Sequence, residues 1–172
     1  MQLMLENPNL DAYLAVSEVI DFDDTSIQEI TRHLRQSATS EREVAQTLYN
    51  FVRDRIPHSF DIDGHQVTCN AAEVLQHREG ICFAKAHLLA ALLRCAEIPA
   101  GFCYQRLVFQ DSYPQYLTLH GLNAVYLKSL NQWIRVDARG NKPGIRAEFN
   151  VEREVLAFPV RPALQEQDYP TI

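Results

Sequence analysis

The sequence has no hydrophobic run long enough to cross a membrane. A transmembrane helix needs about 20 consecutive apolar residues, and no stretch of the 172 residues approaches that length. The first residues, MQLMLENPNLDAYLAV, also lack the basic start and the continuous apolar stretch of a signal peptide. We therefore expect a cytoplasmic protein that does not act at a membrane.

Basic residues are too few to favour nucleic acid as a partner. The chain has 16 Lys and Arg residues against 22 Asp and Glu residues, which gives a formal net charge of −6. Binding to nucleic acid depends on clustered Lys and Arg side chains that neutralise phosphates. We therefore expect no nucleic-acid partner, whereas the charge does not identify a small substrate.

Cysteine is scarce, and its spacing does not suggest a metal site. The four cysteines form no C-x-x-C pair, and none of the six histidines stands at a familiar zinc spacing from a cysteine. Thiols stay reduced in the cytoplasm. We therefore expect free thiols and no structural metal site. The four residues are Cys69, Cys82, Cys95 and Cys103.

Capping patterns mark the starts of three helices. A Ser, Thr or Asn followed three residues later by Glu or Gln is typical of a helix N-terminus. The pairs are Thr25–Gln28 or Ser26–Glu29, then Ser40–Glu43, then Asn70–Glu73. A fourth helix, predicted over residues 82–96, has apolar side chains around most of its circumference, so it belongs in the middle of the core.

Three strands are predicted after these helices. The segments GFCYQRLVF, LHGLNAVYL and QWIRVDA are rich in aromatic and β-branched residues. A polar loop, DSYPQY, separates the first two strands, and the short connector KSLNQ predicts a hairpin between the last two. Helices that precede strands indicate an α+β fold with an antiparallel sheet in one domain over residues 1–172. The tail, RPALQEQDYPTI, is expected to pack along the surface or to fray.

Cys82 opens the most apolar helix. A helix N-terminus favours a thiolate through its dipole and its unpaired N–H groups. The backbone N–H of Cys82 could also help to bind an oxyanion, as acyl transfer requires. However, free cysteine is among the most buried residue types, and the position of Cys82 alone favours a buried structural residue.

The predicted hairpin supplies a histidine and an acid that could serve such a thiol. If its turn pairs Lys128 with Asn131, then Asp137 lies opposite Leu122 and diagonal to His120 on the same face. Diagonal neighbours have Cβ atoms within about 7–8 Å, near enough for a carboxylate to meet an imidazole. A shift of one residue would put the two side chains on opposite faces.

The other five histidines have no Asp at a position that helix period or strand pairing would bring into contact. We expect each of them to be solvated or structural, with two of them in the loop before the third helix. They are His33, His58, His65, His77 and His87.

Three motifs resemble the transglutaminase-like superfamily, and in particular its bacterial members. They are REGICFAKAHLLAALLRCAEIPA, LHGLNAVYL and QWIRVDARGN, in that order. The resemblance covers roughly residues 40–140, with a helical part over 1–39 and a C-terminal extension over 141–172. It implies a papain-like fold with the Cys-bearing helix packed on an antiparallel sheet.

The resemblance also implies roles for individual residues. Cys82 would be the nucleophile, His120 the general base and acid, and Asp137 the group that orients the imidazole. Trp133 fits the W-x-x-x-D pattern of the family and would lie near the substrate. Gln76, six residues before Cys82, has a spacing similar to that of the oxyanion glutamine of papain-like proteases, although a solvated residue near a helix end is at least as good an interpretation.

The implied activity is cysteine-dependent acyl transfer or hydrolysis at an amide bond of a peptide, a protein or a small amide. With water as acceptor the enzyme would be a peptidase or amidase, and with an amine acceptor a transglutaminase. Two alternatives stay open, namely a catalytically silent binding module and a thioester-dependent N-acyltransferase. No metal or organic cofactor is implied, because a thiol, an imidazole and a carboxylate suffice for this chemistry. The calcium of animal transglutaminases has no evident site, because the acidic stretch DFDDTS lacks EF-hand spacing.

Overall fold

Four α-helices precede a four-stranded antiparallel sheet in the computed structural model, which describes residues 2–109 and 116–172. The helices are α1 (Thr25–Leu34), α2 (Glu41–Arg55), α3 (Ala71–His77) and α4 (Cys82–Cys95). The strands are β1 (Ala100–Val108), β2 (Leu117–Leu127), β3 (Gln132–Val136) and β4 (Gln167–Tyr169). This arrangement confirms the predicted α+β class. Residues 111–115 of the predicted loop DSYPQY lie outside the described residues.

Two of the three predicted helix caps are confirmed. The N–H of Glu43 donates to the Ser40 hydroxyl at 3.3 Å, and the N–H of Glu73 donates to the Asn70 side chain at 2.8 Å. The prediction for α1 was wrong, because Asp24 caps that helix by accepting from the N–H of Ser26 at 2.7 Å. A carboxylate directly before the helix both accepts this bond and interacts favourably with the positive end of the dipole.

Helix α4 forms the centre of the main core, as its apolar circumference predicts. Its residues from Leu88 to Leu93 are fully buried, and the helix contacts α1, α2 and α3 as well as β1 and β2. Each fully buried leucine contributes roughly 1.5–3 kcal/mol to folding. The Asn123 side chain on β2 donates to the backbone carbonyl of Ala86 at 3.0 Å and so fixes α4 against the sheet.

The sheet has the strand order β3-β2-β1-β4. In the β2–β3 hairpin, Leu127 pairs with Gln132 and Asn123 pairs with Val136. This register confirms the predicted pairing and, continued by one residue, sets Asp137 opposite Leu122. The strand β4 was not predicted, and the expectation that the tail only packs or frays was wrong over these three residues, which pair with β1.

The two faces of the sheet are covered differently. One face packs against α4, and a smaller apolar cluster lies on the other face. Because side chains alternate along a strand, His120 shares the second face with Leu122 and Ala124. None of the helices within residues 2–109 and 116–172 combines the length and the apolarity needed to cross a membrane.

Candidate active site

Cys82 is the first residue of α4 and is only partly buried. The residue before it, Ile81, is extended and gives no side-chain cap to the helix. The backbone is tightly packed two residues before Cys82. A Cβ on Gly80 would lie 3.0 Å from the Cβ of Ala84 and 3.2 Å from the Thr68 hydroxyl. The thiol therefore stands at a helix N-terminus whose first N–H groups are not occupied by a capping side chain.

His120 and Asp137 form a buried hydrogen-bonded pair. The Nε2 atom of His120 lies 2.8 Å from Oδ2 of Asp137, and the two residues are only 4% and 1% exposed. The diagonal placement that the hairpin register predicts thus brings the two side chains into contact. The ring of Phe158 meets the imidazole edge to face at 5.0 Å between centroids.

The carboxylate of Asp137 has two further donors. The backbone N–H of Arg139 lies 3.0 Å from Oδ1, and that of Ala157 lies 3.1 Å from Oδ2. Burial opposes ionisation of this group, but the charge and hydrogen bond of His120, followed by the two N–H groups, hold the pKa of Asp137 below its usual value. The carboxylate is therefore a fixed anion behind the imidazole.

Cys82 also contributes to the electrostatics of this pair. Burial alone would lower the pKa of His120, but the charge and hydrogen bond of Asp137, with a smaller contribution from Cys82, raise it well above its ordinary value. Since Nε2 is held by Asp137, Nδ1 is the ring nitrogen that is left for the thiol. The candidate site thus combines a thiol, an imidazole and a fixed negative charge.

Cys82 and His120 line one cavity of about 530 Å³. Much of its wall is apolar and comes from Leu107, Val108, Phe109, Leu119, Ile145 and Phe158. The three cations that line the cavity have acidic partners. Arg139 and Lys142 both bind Asp61, and Arg161 binds Glu166 at 2.7 Å.

A metal centre is not evident in the described parts of the chain. No group of three or more His, Cys, Asp or Glu side chains there is arranged to hold a metal ion. The two acids of the cavity, Asp61 and Glu166, are already bound by cations that line it.

Two of the predicted site residues lie elsewhere. Gln76 is on the exposed side of α3 and lines a separate groove against α1, so the structure does not bring it together with Cys82. Trp133 packs between Tyr13 and Tyr126, with ring centroids at 4.9 Å and 5.4 Å. It belongs to the second apolar cluster and does not line the cavity of Cys82.

His58 does lie at the site, although the sequence placed it in a loop without a partner. It is 6% exposed and lines the same cavity as Cys82 and His120. Its backbone bridges to that of Gly80, two residues before Cys82. No periodicity within the sequence signals this contact, because it joins two irregular segments that flank α3.

Comparisons with known proteins agree with the motifs. A sequence model of the transglutaminase-like superfamily matches residues 28–138, which is more than half of the 172 residues. No curated protein matches the chain.

Solved structures share the fold at low sequence identity. A candidate cysteine protease from Cytophaga hutchinsonii is 19% identical with a TM-score of 0.59, and the match covers 77% of this chain and 43% of that protein. The periplasmic domain of TgpA from Pseudomonas aeruginosa is 16% identical with a TM-score of 0.54, over 75% and 46% of the two chains. A further structure, named only as a TGase, is 14% identical with a TM-score of 0.51, over 86% and 38%. The chain thus spans less than half the length of each of these proteins.

Proposed function

The chain belongs to the transglutaminase-like superfamily, and from this premise we propose that it is a thiol enzyme that transfers or hydrolyses an acyl group at an amide bond. The observation that carries the proposal is the shared cavity of a helix-start thiol and an imidazole that is bound to a buried carboxylate. Thiol, base and orienting acid are the parts that nucleophilic acyl transfer needs.

In the first half-reaction, Cys82 is the nucleophile. His120 takes the thiol proton, and the thiolate attacks the carbonyl carbon of the substrate to give a tetrahedral oxyanion. When this intermediate collapses, the C–N bond breaks and His120 gives its proton to the departing amine. The substrate acyl group is then held on the sulfur as a thioester.

In the second half-reaction, an acceptor attacks the thioester carbonyl. His120 removes a proton from the acceptor, a second oxyanion forms and collapses, and the thiol of Cys82 is restored. Water as acceptor gives a carboxylic acid, and a primary amine gives a new amide. Both acceptors suit the same three side chains.

The electrostatics support these roles. The raised pKa of His120 keeps a proton on the imidazole that can be given to a leaving amine. The open N-terminus of α4 favours the negative sulfur. Asp137 keeps Nε2 protonated, so Nδ1 is the nitrogen that accepts the proton of the thiol.

The walls of the cavity suggest the class of acyl donor. Its apolar side chains favour an acyl group with an aliphatic or aromatic substituent. Each cation that lines the cavity already has an acidic partner, since Arg139 and Lys142 share Asp61 and Arg161 binds Glu166. We therefore propose a peptide, protein or small amide with an apolar residue on the acyl side.

Trapping of the thioester tests the proposal. The protein is incubated with an activated ester and with a peptide amide library, and its intact mass is followed with and without a primary amine. We expect one acyl group on the wild type and on Cys69→Ala, none on Cys82→Ala, and turnover to acid or to new amide. A wild-type protein that is never acylated at Cys82 would instead favour a catalytically silent binding module.

A further inference from the structure

We propose that His58 is a catalytic residue whose imidazole N–H, together with the backbone N–H of Cys82, binds the oxyanion of the tetrahedral intermediate. The inference rests on the proposed acyl transfer and adds to it the second oxyanion donor of the same site. His58 takes the role of second oxyanion donor that the sequence spacing suggested for Gln76, because Gln76 lies on a different surface.

The backbone places His58 beside the segment that leads into α4. The N–H of Ser59 donates to the carbonyl of Gly80 at 3.2 Å, and the N–H of Gly80 donates to the carbonyl of Pro57 at 3.4 Å. These two bonds form a parallel bridge between His58 and Gly80. His58 is thereby fixed next to the start of the helix that carries the thiol, and its side chain lines the cavity of Cys82 and His120.

The hydrogen bonds of the imidazole define its tautomer. The Nδ1 atom of His58 accepts a hydrogen bond from the backbone N–H of Phe60 at 3.3 Å. A neutral imidazole that accepts at Nδ1 carries its proton at Nε2. His58 therefore offers one N–H donor from Nε2, on the side of the ring away from its own loop.

The surroundings keep this ring neutral. Burial, followed by the positive charge of Arg139, lowers the pKa of His58 to about 4. The protonated ring of His120 also disfavours a second cation in the same cavity. His58 thus stays a neutral donor near neutral pH and does not compete with His120 for the proton of the thiol.

The loop that carries His58 is held from two sides. The ring of Phe60 packs against that of His58 with centroids 5.4 Å apart. Asp61 binds Arg139, which directly follows the Asp137–Ala138 segment. A donor fixed in this way does not need to reorganise when negative charge develops on the substrate, which is what makes such a donor effective in catalysis.

Two reactions of the same thiol separate an oxyanion donor from a structural residue. Acylation of Cys82 by a p-nitrophenyl ester passes through a tetrahedral oxyanion, whereas alkylation by iodoacetamide is a direct displacement at carbon and forms none. Both rates are measured on wild type, His58→Phe and His58→Gln, with Cys82→Ala as the background. Phe keeps a ring against Phe60 without a donor, and Gln keeps an N–H donor.

We expect His58→Phe to slow acylation by about 10²–10³-fold while alkylation stays within about threefold of the wild type. His58→Gln should recover a large part of the acylation rate. An equal fall of both rates would show a structural role, and an unchanged acylation rate would also overturn the inference. If His58→Phe does not fold, His58→Leu takes its place in the same comparison. Failure of the proposed function is distinct, because the wild-type thiol would then be alkylated but never acylated.

Discussion

The ammonium group of Lys85 donates a hydrogen bond to the carbonyl oxygen of Val52 at 3.0 Å and so joins α4 to the last turn of α2. It also donates to the carbonyl of Ile56, and the lysine is fully buried. The last carbonyls of a helix have no partner within the helix, and they carry the negative end of its dipole. Lys85 therefore caps the C-terminus of α2 from a position in α4 one helical turn after Cys82. This contact fixes the orientation of the helix that carries the thiol.

Shortening this side chain should destabilise the protein. Lys85→Ala removes a buried aliphatic stem and leaves two carbonyls without a donor, so we expect the free energy of unfolding to fall by about 2–4 kcal/mol. Lys85→Met keeps most of the stem and should cost less. Urea unfolding followed by the fluorescence of Trp133, the single tryptophan, measures both variants. Arg55→Ala, on the exposed side of α2, is the control and should change little.

Lys85 should also make stability depend on pH above neutrality. Burial, followed by the charge of Arg139, lowers the pKa of Lys85 to about 7 in the folded protein, whereas an unfolded lysine has a pKa of about 10.4. Between these values the unfolded chain binds more protons, so the free energy of unfolding should rise with pH by up to about 1.4 kcal/mol per unit. Other groups titrate in this range as well, so the measured quantity is the difference between wild type and Lys85→Met. A difference that does not change between pH 7 and pH 10 would contradict the assignment.

Cys82 should be the most reactive of the four thiols. Cys69 is exposed and serves as the reference thiol, while burial raises the pKa of Cys103 to about 12. At pH 7 we expect iodoacetamide to label the partly buried Cys82 at least about tenfold faster than the exposed Cys69, because the thiolate is the reacting form. Peptide mapping of the labelled protein gives the four rates. Cys82→Ala should lose the fast phase and Cys69→Ala should keep it, and equal rates at all thiols would exclude an activated thiolate.

Asp137→Asn should lower both the pKa of His120 and the rate at which Cys82 is acylated. With a neutral amide in place of the carboxylate, burial is no longer offset and the pKa of His120 should fall. We expect the rate of Cys82 acylation to fall by about 10⁴-fold. An NMR titration of the histidine Cε1 protons follows the pKa directly. Asp24→Asn, which keeps a capping side chain at α1, should leave both quantities unchanged. A His120 pKa that does not move in Asp137→Asn would argue against the pairing.

The sequence predicts the hairpin of the site because its constraints are local. The short connector sets the pairing of Leu127 with Gln132, and strand alternation then decides which face His120 occupies. The apolar character of α4 and its start at Cys82 are likewise determined by residues close together in the sequence. Together with the resemblance to the superfamily, these local features predict which thiol, imidazole and carboxylate form the candidate site.

The rest of the site depends on contacts between distant segments. The bridge between His58 and Gly80 joins two loops, and β4 becomes a strand only by pairing with β1. Gln76 has a suggestive spacing, but Arg78 ends α3 with a left-handed φ of 59°, which turns the chain before Cys82. A count of residues across such a turn does not define a direction in space, so it could not place the second oxyanion donor.

The apolar wall of the cavity should appear as a preference among acyl donors. Each methylene buried on binding contributes about 0.8 kcal/mol, so kcat/KM for a series of p-nitrophenyl esters should rise by up to about fourfold per methylene until the cavity is filled. Ile145 lines the cavity, and Ile145→Ala should flatten this rise or shift it to longer chains. Val16→Ala is the matched control, since Val16 is half exposed and is not part of that wall. If the rate constants are independent of chain length in wild type and Ile145→Ala alike, the acyl group does not occupy this cavity, and the donor must be recognised through its leaving group instead.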